Sequence, residues 1–221
     1  PFHDERSPSF HVTPSKGLYH CFSCGEGGDV ITFVRKIDAL SFTEAVEKLA
    51  VKYGIVLRYE EGNGASAGQQ GQRARLIEAH KFAGAFYKSQ LLSPEAQHAR
   101  TFLTERGFDQ ASWDLFGVGY SPSGWDGLRN ELRSKGFSEE EMITAGLAVS
   151  GQRGAYDRFR DRVMWPIRDS SADTIGFGAR KLTEADQGPK YLNTPESPIY
   201  RKSQVLYGID LARRDMAKQQ Q

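Results

Sequence analysis

The feature that most constrains this chain is a pair of cysteines at a short metal-ligand spacing, Cys21-Phe22-Ser23-Cys24, the only two cysteines in 221 residues. Gly25, Gly27 and Gly28 follow directly. A Cys-x-x-Cys pair turns both sulfurs into one tight loop, and glycine supplies the left-handed backbone angles that such a knuckle uses. His3 stands upstream as a third candidate ligand. His11 and His20 are substitutes, although His20 adjoins Cys21 and is expected to point away. A redox pair and two inert cysteines are the competing readings. The segment lacks the strand-to-helix context of a thioredoxin-like site, and two cysteines do not make a secreted disulfide framework. Glycine knuckle, paired thiols and upstream histidine together favour a metal, with zinc the ion that suits thiolate and imidazole donors.

Around these residues the pattern is that of a small antiparallel ribbon. Ser9-Phe10-His11-Val12-Thr13 alternates as a strand, Pro14-Ser15-Lys16-Gly17 reads as a turn, and Leu18-Tyr19-His20-Cys21-Phe22 reads as a second strand. Asp29 is a good N-cap for a helix with Val30, Ile31, Phe33, Val34 and Ile37 on one face. A second helix carries Ala45, Val46, Leu49 and Ala50 and stops at Gly54. Arg6, His11, Lys16, Tyr19 and Phe22 would suit the stacking of bases and the holding of phosphates. The competing reading puts Phe10, Tyr19 and Phe22 in the ribbon's own core. From Glu60 to Gln72 apolar content almost vanishes, which predicts a flexible linker. The expected organisation is a ribbon module over 1–60, a linker over 61–73 and a mixed α/β domain over 74–221, so the fold class is α+β.

In the second domain, helices are expected over Arg73–Leu92, Glu95–Arg106, Asp109–Leu115 and Trp125–Lys135, with another opening at Ser138-Glu139-Glu140-Glu141. His80 and His98 are expected on helix surfaces or edges. Phe116–Ser121 looks like a strand. Tyr156–Ile167 alternates, and as one strand it would put Arg158, Arg160 and Arg162 on a single face about 7 Å apart in succession, a spacing that moderately suits an extended phosphate backbone. At least one of these arginines is expected to pair structurally with a local acid such as Asp157, Asp161 or Asp169. Thr174–Arg180 is a Gly-rich strand without the third glycine and helix of a dinucleotide fingerprint. A Pro-punctuated loop from Pro189 to Pro198 presents Lys190 and Asn193, and the chain ends in a helix from Ile209. A net charge of +1 leaves any nucleic-acid footprint to local clusters of Lys and Arg. No run approaches the roughly 18 apolar residues of a membrane helix, and the polar first residues predict no signal peptide.

In combination, the motifs resemble a known family. Pro-Phe-His-x-Glu-x-x-x-Ser-Phe, Tyr-His-Cys-Phe-x-Cys-Gly and Gly-Gly-Asp-Val-Ile-x-Phe resemble the zinc-binding domain of bacterial DNA primases of the DnaG type. Arg-Phe-Arg-x-Arg-Val-Met-x-Pro-Ile, Gly-Phe-Gly-x-Arg, Pro-Lys-Tyr-Leu-Asn-x-Pro-Glu, then Lys and Leu-Tyr-Gly, are similar to the N-terminal part of the primase RNA-polymerase core. The resemblance implies Zn2+ on His3, Cys21 and Cys24, with a fourth ligand, a Cys directly before Pro1, expected to be truncated. It implies nucleic-acid contacts at Arg158, Arg160, Arg162, Arg180, Lys190, Asn193 and Lys202. It further implies synthesis of short RNA primers from ribonucleoside triphosphates on a single-stranded DNA template, with Mg2+ or Mn2+ held by an acidic Toprim cluster. No Glu plus Asp-x-Asp cluster stands in this sequence, so the chain by itself is expected to be inactive. A replicative helicase partner outside this chain and a cytoplasmic, nucleoid-associated location without membrane contact are also implied. The alternative is a non-catalytic zinc-ribbon protein of phage or plasmid origin that binds single-stranded DNA.

Overall fold

A computed structural model describes residues 1–38, 40, 42–57, 67–152, 154–183 and 186–219. The chain divides into two compact units, residues 1–64 with 208–221, and residues 65–207.

In the first unit, β1 (Phe10–Thr13), β2 (Leu18–Cys21) and β3 (Gly27–Asp29) form an antiparallel sheet in that order. The third strand is an addition to the expected two-stranded ribbon, because Gly27-Gly28-Asp29 carries no apolar alternation to betray it. Alternation along β2 buries Tyr19 and Cys21 and exposes Leu18 and His20. Tyr19 meets Phe2, Phe10 and Phe33 with ring centroids 5.3–5.6 Å away. These four rings are the aromatic heart of the unit, so the core reading holds for Phe10 and Tyr19. Phe22 stands 71% exposed beside His11 and His20. The Asp29 Oδ1 accepts from the Thr32 amide at 2.7 Å, starting α1 (Val30–Asp38) as expected. Next comes α2 (Phe42–Tyr53), closed by Gly54 at φ 64°. The chain's final helix, Ile209–Gln219, packs against α1 within this unit.

The second unit opens with α3 (Ala67–Leu91). The helix expected from Arg73 thus starts earlier, and residues 67–72 of the expected linker are helical. Glutamines tolerate a helix well and simply extend the periodic run that follows. Residues 61–66 of that linker lie outside the described residues. Then come α4 (Gln97–Thr104), α5 (Gln110–Phe116), β4 (Gly119–Ser121), α6 (Gly127–Ser134), α7 (Glu139–Thr144), β5 (Ala148–Gly151), β6 (Gly154–Asp157), β7 (Arg162–Arg168), β8 (Thr174–Lys181) and β9 (Tyr191–Asn193). Asp109 caps α5 through the Ser112 amide, and Ser138 with Glu141 forms a capping box on α7. Phe116 ends α5 instead of starting a strand, since Gly117 takes the left-handed angle that closes a helix.

The strands β4-β7-β8-β9 make one antiparallel sheet, and β5-β6 a separate hairpin. Helix α3 covers one sheet face, where Leu76, Ala79, Ala83 and Tyr87 meet Met164, Ile175, Phe177 and Ala179. Gly119 lets β4 pass under α3, because a Cβ there would lie 2.6 Å from the Tyr87 Cβ. Leu91, Leu103, Trp113, Val118, Tyr120 and Val163 form a second cluster with α4 and α5. Each large apolar side chain so buried contributes about 1.5–3 kcal/mol. His80, expected at a helix surface, is fully buried and lies in this core. Its ring stacks on Phe177 with centroids 5.8 Å apart, and its Nδ1 lies 2.8 Å from the Leu76 carbonyl oxygen. Helical geometry supplies that carbonyl four residues back, which is how a polar ring is accommodated inside.

Candidate metal centre and nucleic-acid surface

The sequence folds the cysteine pair as the knuckle it predicts. The Gly25 amide donates to the Cys21 carbonyl at 2.9 Å, with Gly25 at φ 76°, and the Cys21 amide donates to the Glu26 carbonyl at 2.7 Å. One donor atom each from His3, Cys21 and Cys24 lies within 4.8 Å of the others. The His3 Nδ1 is 3.9 Å from the Cys21 Sγ. Two ligands of a tetrahedral zinc ion stand about 3.6–3.8 Å apart for ordinary Zn–N and Zn–S bonds, so these three donors fit one such ion. The cysteines are not joined by a disulfide.

A second layer of residues, which spacing arguments missed, holds this set. Glu5 Oε2 lies 3.2 Å from His3 Nε2, leaving Nδ1 directed at the sulfur. Glu5 Oε1 accepts from the Ser9 amide at 2.8 Å, while Oε2 also takes the Ser9 hydroxyl. The hydroxyl and amide of Ser9, with His3 beside them, hold the Glu5 carboxyl down at about 2. Ser9 Oγ also stands 3.3 Å from Cys21 Sγ. That contact and the backbone amide of Cys24 lower the Cys21 thiol to about 7, toward the thiolate that a metal needs. A carboxylate on the far nitrogen of a ligating histidine fixes its tautomer and orientation. The visible signal was a carboxylate two residues after His3.

The arginine strand needs correcting. Tyr156 and Asp157 end β6, β7 begins at Arg162, and residues 158–161 turn between them with Asp161 at φ 50°. Arg158, Arg160 and Arg162 therefore share no strand face. Arg162 is 3% exposed, ion-paired with Asp186 and donating to the Pro189 carbonyl at 2.9 Å. A buried guanidinium needs such partners, so this arginine ties β7 to the Pro189 loop. It fills the structural role expected of one of the three, with Asp186 as its acid. Arg160 lies over the Trp125 ring at 3.9 Å and donates to the Asp157 carbonyl at 2.9 Å. Arg158 is half-buried, its Nε is enclosed without a hydrogen-bond partner, and burial lowers its pKa.

Strands β8 and β9 bring together three of the other predicted residues. Arg180 pairs in register with Tyr191, and its guanidinium lies 5.5 Å from that ring and 5.3 Å from Phe102. Lys190 is exposed, with its Nζ 5.7 Å from the same Tyr191 ring. Asn193 pairs with Gly178, which pairs in turn with Trp165. Asn193, Gly178 and Trp165 rim a concavity of about 410 Å³ with Ile167, Val205 and Tyr207, and neither Arg180 nor Lys190 lines it. Lys202 is exposed on a short turn, its amide donating to Glu196 at 3.2 Å. The result is an edge where cations alternate with aromatic rings.

The chain thus carries a metal-competent ribbon and a separate sheet domain with a cation-aromatic edge. The CHC2 zinc finger family matches residues 1–65, and the family of the DNA primase catalytic core, N-terminal domain, matches residues 86–213. A DNA primase of Streptomyces coelicolor is 64% identical over 219 residues, which is 99% of this chain and 34% of that protein. The chain belongs to the DNA primase family. It spans about a third of the length of the curated relatives it matches.

Solved structures agree with the fold. The RNA polymerase domain of the Mycobacterium tuberculosis primase DnaG, in complex with a double-stranded DNA oligomer with a 6-nucleotide overhang, is 51% identical with a TM-score of 0.65, covering 66% of this chain and 46% of that one. A DnaG primase catalytic domain bound to single-stranded DNA is 39% identical with a TM-score of 0.60, covering 67% and 46%. The Aquifex aeolicus primase structure with zinc-binding and RNA polymerase domains is 34% identical with a TM-score of 0.57, covering 95% and 49%. No described helix is long and apolar enough to cross a membrane.

Proposed function

We propose that this chain is the zinc-binding and N-terminal core portion of a primase that makes short RNA primers on single-stranded DNA. The observation that carries this is the match to primases over 99% of the chain, with both modules in family order. A non-catalytic phage or plasmid binding protein is not favoured by that match. His3, Cys21 and Cys24 hold a structural Zn2+. The ribbon helps to recognise template. Arg158, Arg160, Arg180, Lys190, Asn193 and Lys202 hold template and nascent RNA, while Arg162 braces the loop that presents Lys190. Ribonucleoside triphosphates are the substrates, and Mg2+ or Mn2+ on an acidic Toprim subdomain aligns the attacking hydroxyl and the triphosphate. A replicative helicase is the partner, in the cytoplasm at the nucleoid.

The test is binding of single-stranded DNA by the chain across a salt series. Arg180→Glu with Lys190→Glu should weaken binding and flatten the dependence of log K on log salt, because each lost phosphate contact lowers that slope by about 0.7 on a single strand. Unchanged affinity and slope would remove the groove assignment.

A further inference from the structure

Thr194 is a buried polar side chain that the proposed function leaves without a task. It is 3% exposed and directly follows Asn193. Strands β8 and β9 set Arg180 opposite Tyr191, Ala179 opposite Leu192 and Gly178 opposite Asn193, so the next rung brings Phe177 against Thr194. On that rung the Thr194 amide donates to the Phe177 carbonyl at 2.8 Å. A regular antiparallel ladder would return a bond from the Phe177 amide to the Thr194 carbonyl. Here the Phe177 amide donates to the Thr194 Oγ1 at 2.8 Å, and the hydroxyl donates to the Phe177 carbonyl at 3.3 Å. The side chain thus stands in for the main chain where β9 ends, just before Pro195. The fit around it is close. A Cβ on Gly176 would lie 3.3 Å from the Thr194 Cβ, and one on Gly146, just after α7, would lie 2.5 Å from the Pro195 Cδ.

Strand β9 needs such a lock. It has three residues, Tyr191–Asn193, at the edge of its sheet, and among them Leu192 packs against the core. Side chains alternate along a strand, so Leu192 and Thr194 turn inward while Tyr191 and Asn193 turn outward. Tyr191 is mostly exposed, and Asn193 reaches the rim of the concavity beside Trp165. A slip of one residue would reverse all four. One apolar contact specifies the register weakly. The Thr194 hydroxyl specifies it strongly, because a slipped strand would leave the buried Phe177 amide without its acceptor. At the other end of the segment, Arg162 holds the Pro189 carbonyl at 2.9 Å.

We infer that Thr194 is a positioning residue for the nucleic-acid surface: its hydroxyl fixes the register of β9 and so sets Asn193 outward. The inference rests on the nucleic-acid reading of Asn193 and deepens it, since Thr194 acts through Asn193 and touches no ligand itself.

The experiment measures binding of oligo(dT) to the chain across a salt series, with folding followed by circular dichroism. Thr194→Val keeps the shape and removes the hydroxyl. It should weaken binding about fivefold with the salt slope unchanged, because the group displaced is an uncharged amide. Thr194→Ser should restore most of the loss. Thr194→Cys, with a weak acceptor of similar size, should fall between the two, and it replaces Thr194→Val if that variant does not fold. Asn193→Ala should weaken binding by itself, and adding Thr194→Val to it should cost nothing more. If Thr194→Val costs the same with and without Asn193→Ala, the hydroxyl supports the fold alone and the positioning role is overturned. Parent-like binding by Thr194→Val, with Asn193→Ala weakened, overturns it too and leaves the nucleic-acid reading standing. If neither Asn193→Ala nor Arg180→Glu with Lys190→Glu changes binding, the inference and that reading fall together.

Discussion

The two units solve the problem of staying folded in different ways. Residues 65–207 enclose a continuous core in which Leu76, Tyr87, Leu128, Leu132, Met164 and Phe177 are almost wholly withdrawn from water. The N-terminal unit has one cluster of four rings, and Val51 in α2 with Ile55 and Val56 just after it stand mostly in solvent. A small module with so little apolar burial needs another source of free energy, and the proposed Zn2+ on three donors that lie within 4.8 Å of one another would supply it. On the proposed reading one unit is held by packing and the other by coordination, so perturbations of packing and of coordination should separate them.

The largest expected effect is on packing. Phe177→Ala removes a ring that touches both His80 and Tyr87, and should cost about 3–5 kcal/mol in the stability of the second unit. Zinc content per chain should not change. Loss of zinc in this variant would mean that the units do not stabilise separately.

Acid should come next. Burial pushes His80 down to about 4 from its ordinary 6.5, so the folded second unit holds it neutral. The unfolded chain takes up a proton at about 6.5, so stability from this group is complete above that pH and is lost as pH falls toward 4. Below that it stays constant. The loss amounts to about 3 kcal/mol. Urea unfolding between pH 7 and 4 should show it, and His80→Gln should flatten the profile. A parent profile already flat over this window would contradict the buried neutral imidazole.

A subtler change tests the coordination side. Glu5→Ala removes the carboxylate behind His3 and should weaken zinc about 10–100-fold in competition with a chromogenic chelator. Denaturant unfolding of the second unit should be unaffected. Unchanged affinity would mean that the Glu5 contact does not orient the ligand.

What was legible in the sequence follows the same division. Strong local signals carried through: the cysteine knuckle closed by Gly25, the Asp29 cap, the Ser138 capping box and the helices around Leu76 and Leu128 all appear. Period-two alternation failed at 156–162, because it cannot distinguish one strand from two strands joined by a turn. Asp161 at φ 50° breaks the run, with Tyr120 and His98 both reaching its Oδ1. Burial of Arg162 depended on Asp186, far along the chain, and burial of His80 on Phe177 in β8. These are tertiary facts without a local signature. The candidate metal donors His3, Cys21 and Cys24, which the fold brings together, were visible from residue type and spacing together with the family resemblance. Their support by Ser9, and the pairing of Arg160 with Trp125, required the fold.

The most direct test of the two-unit account is hydrogen exchange read by mass spectrometry on the zinc-loaded chain, before and after a chelator removes the metal. Protection should collapse across residues 1–57, including β1, β2 and β3, while residues 67–207 exchange as before. Protection retained in the ribbon without metal, or lost equally in both units, would contradict it.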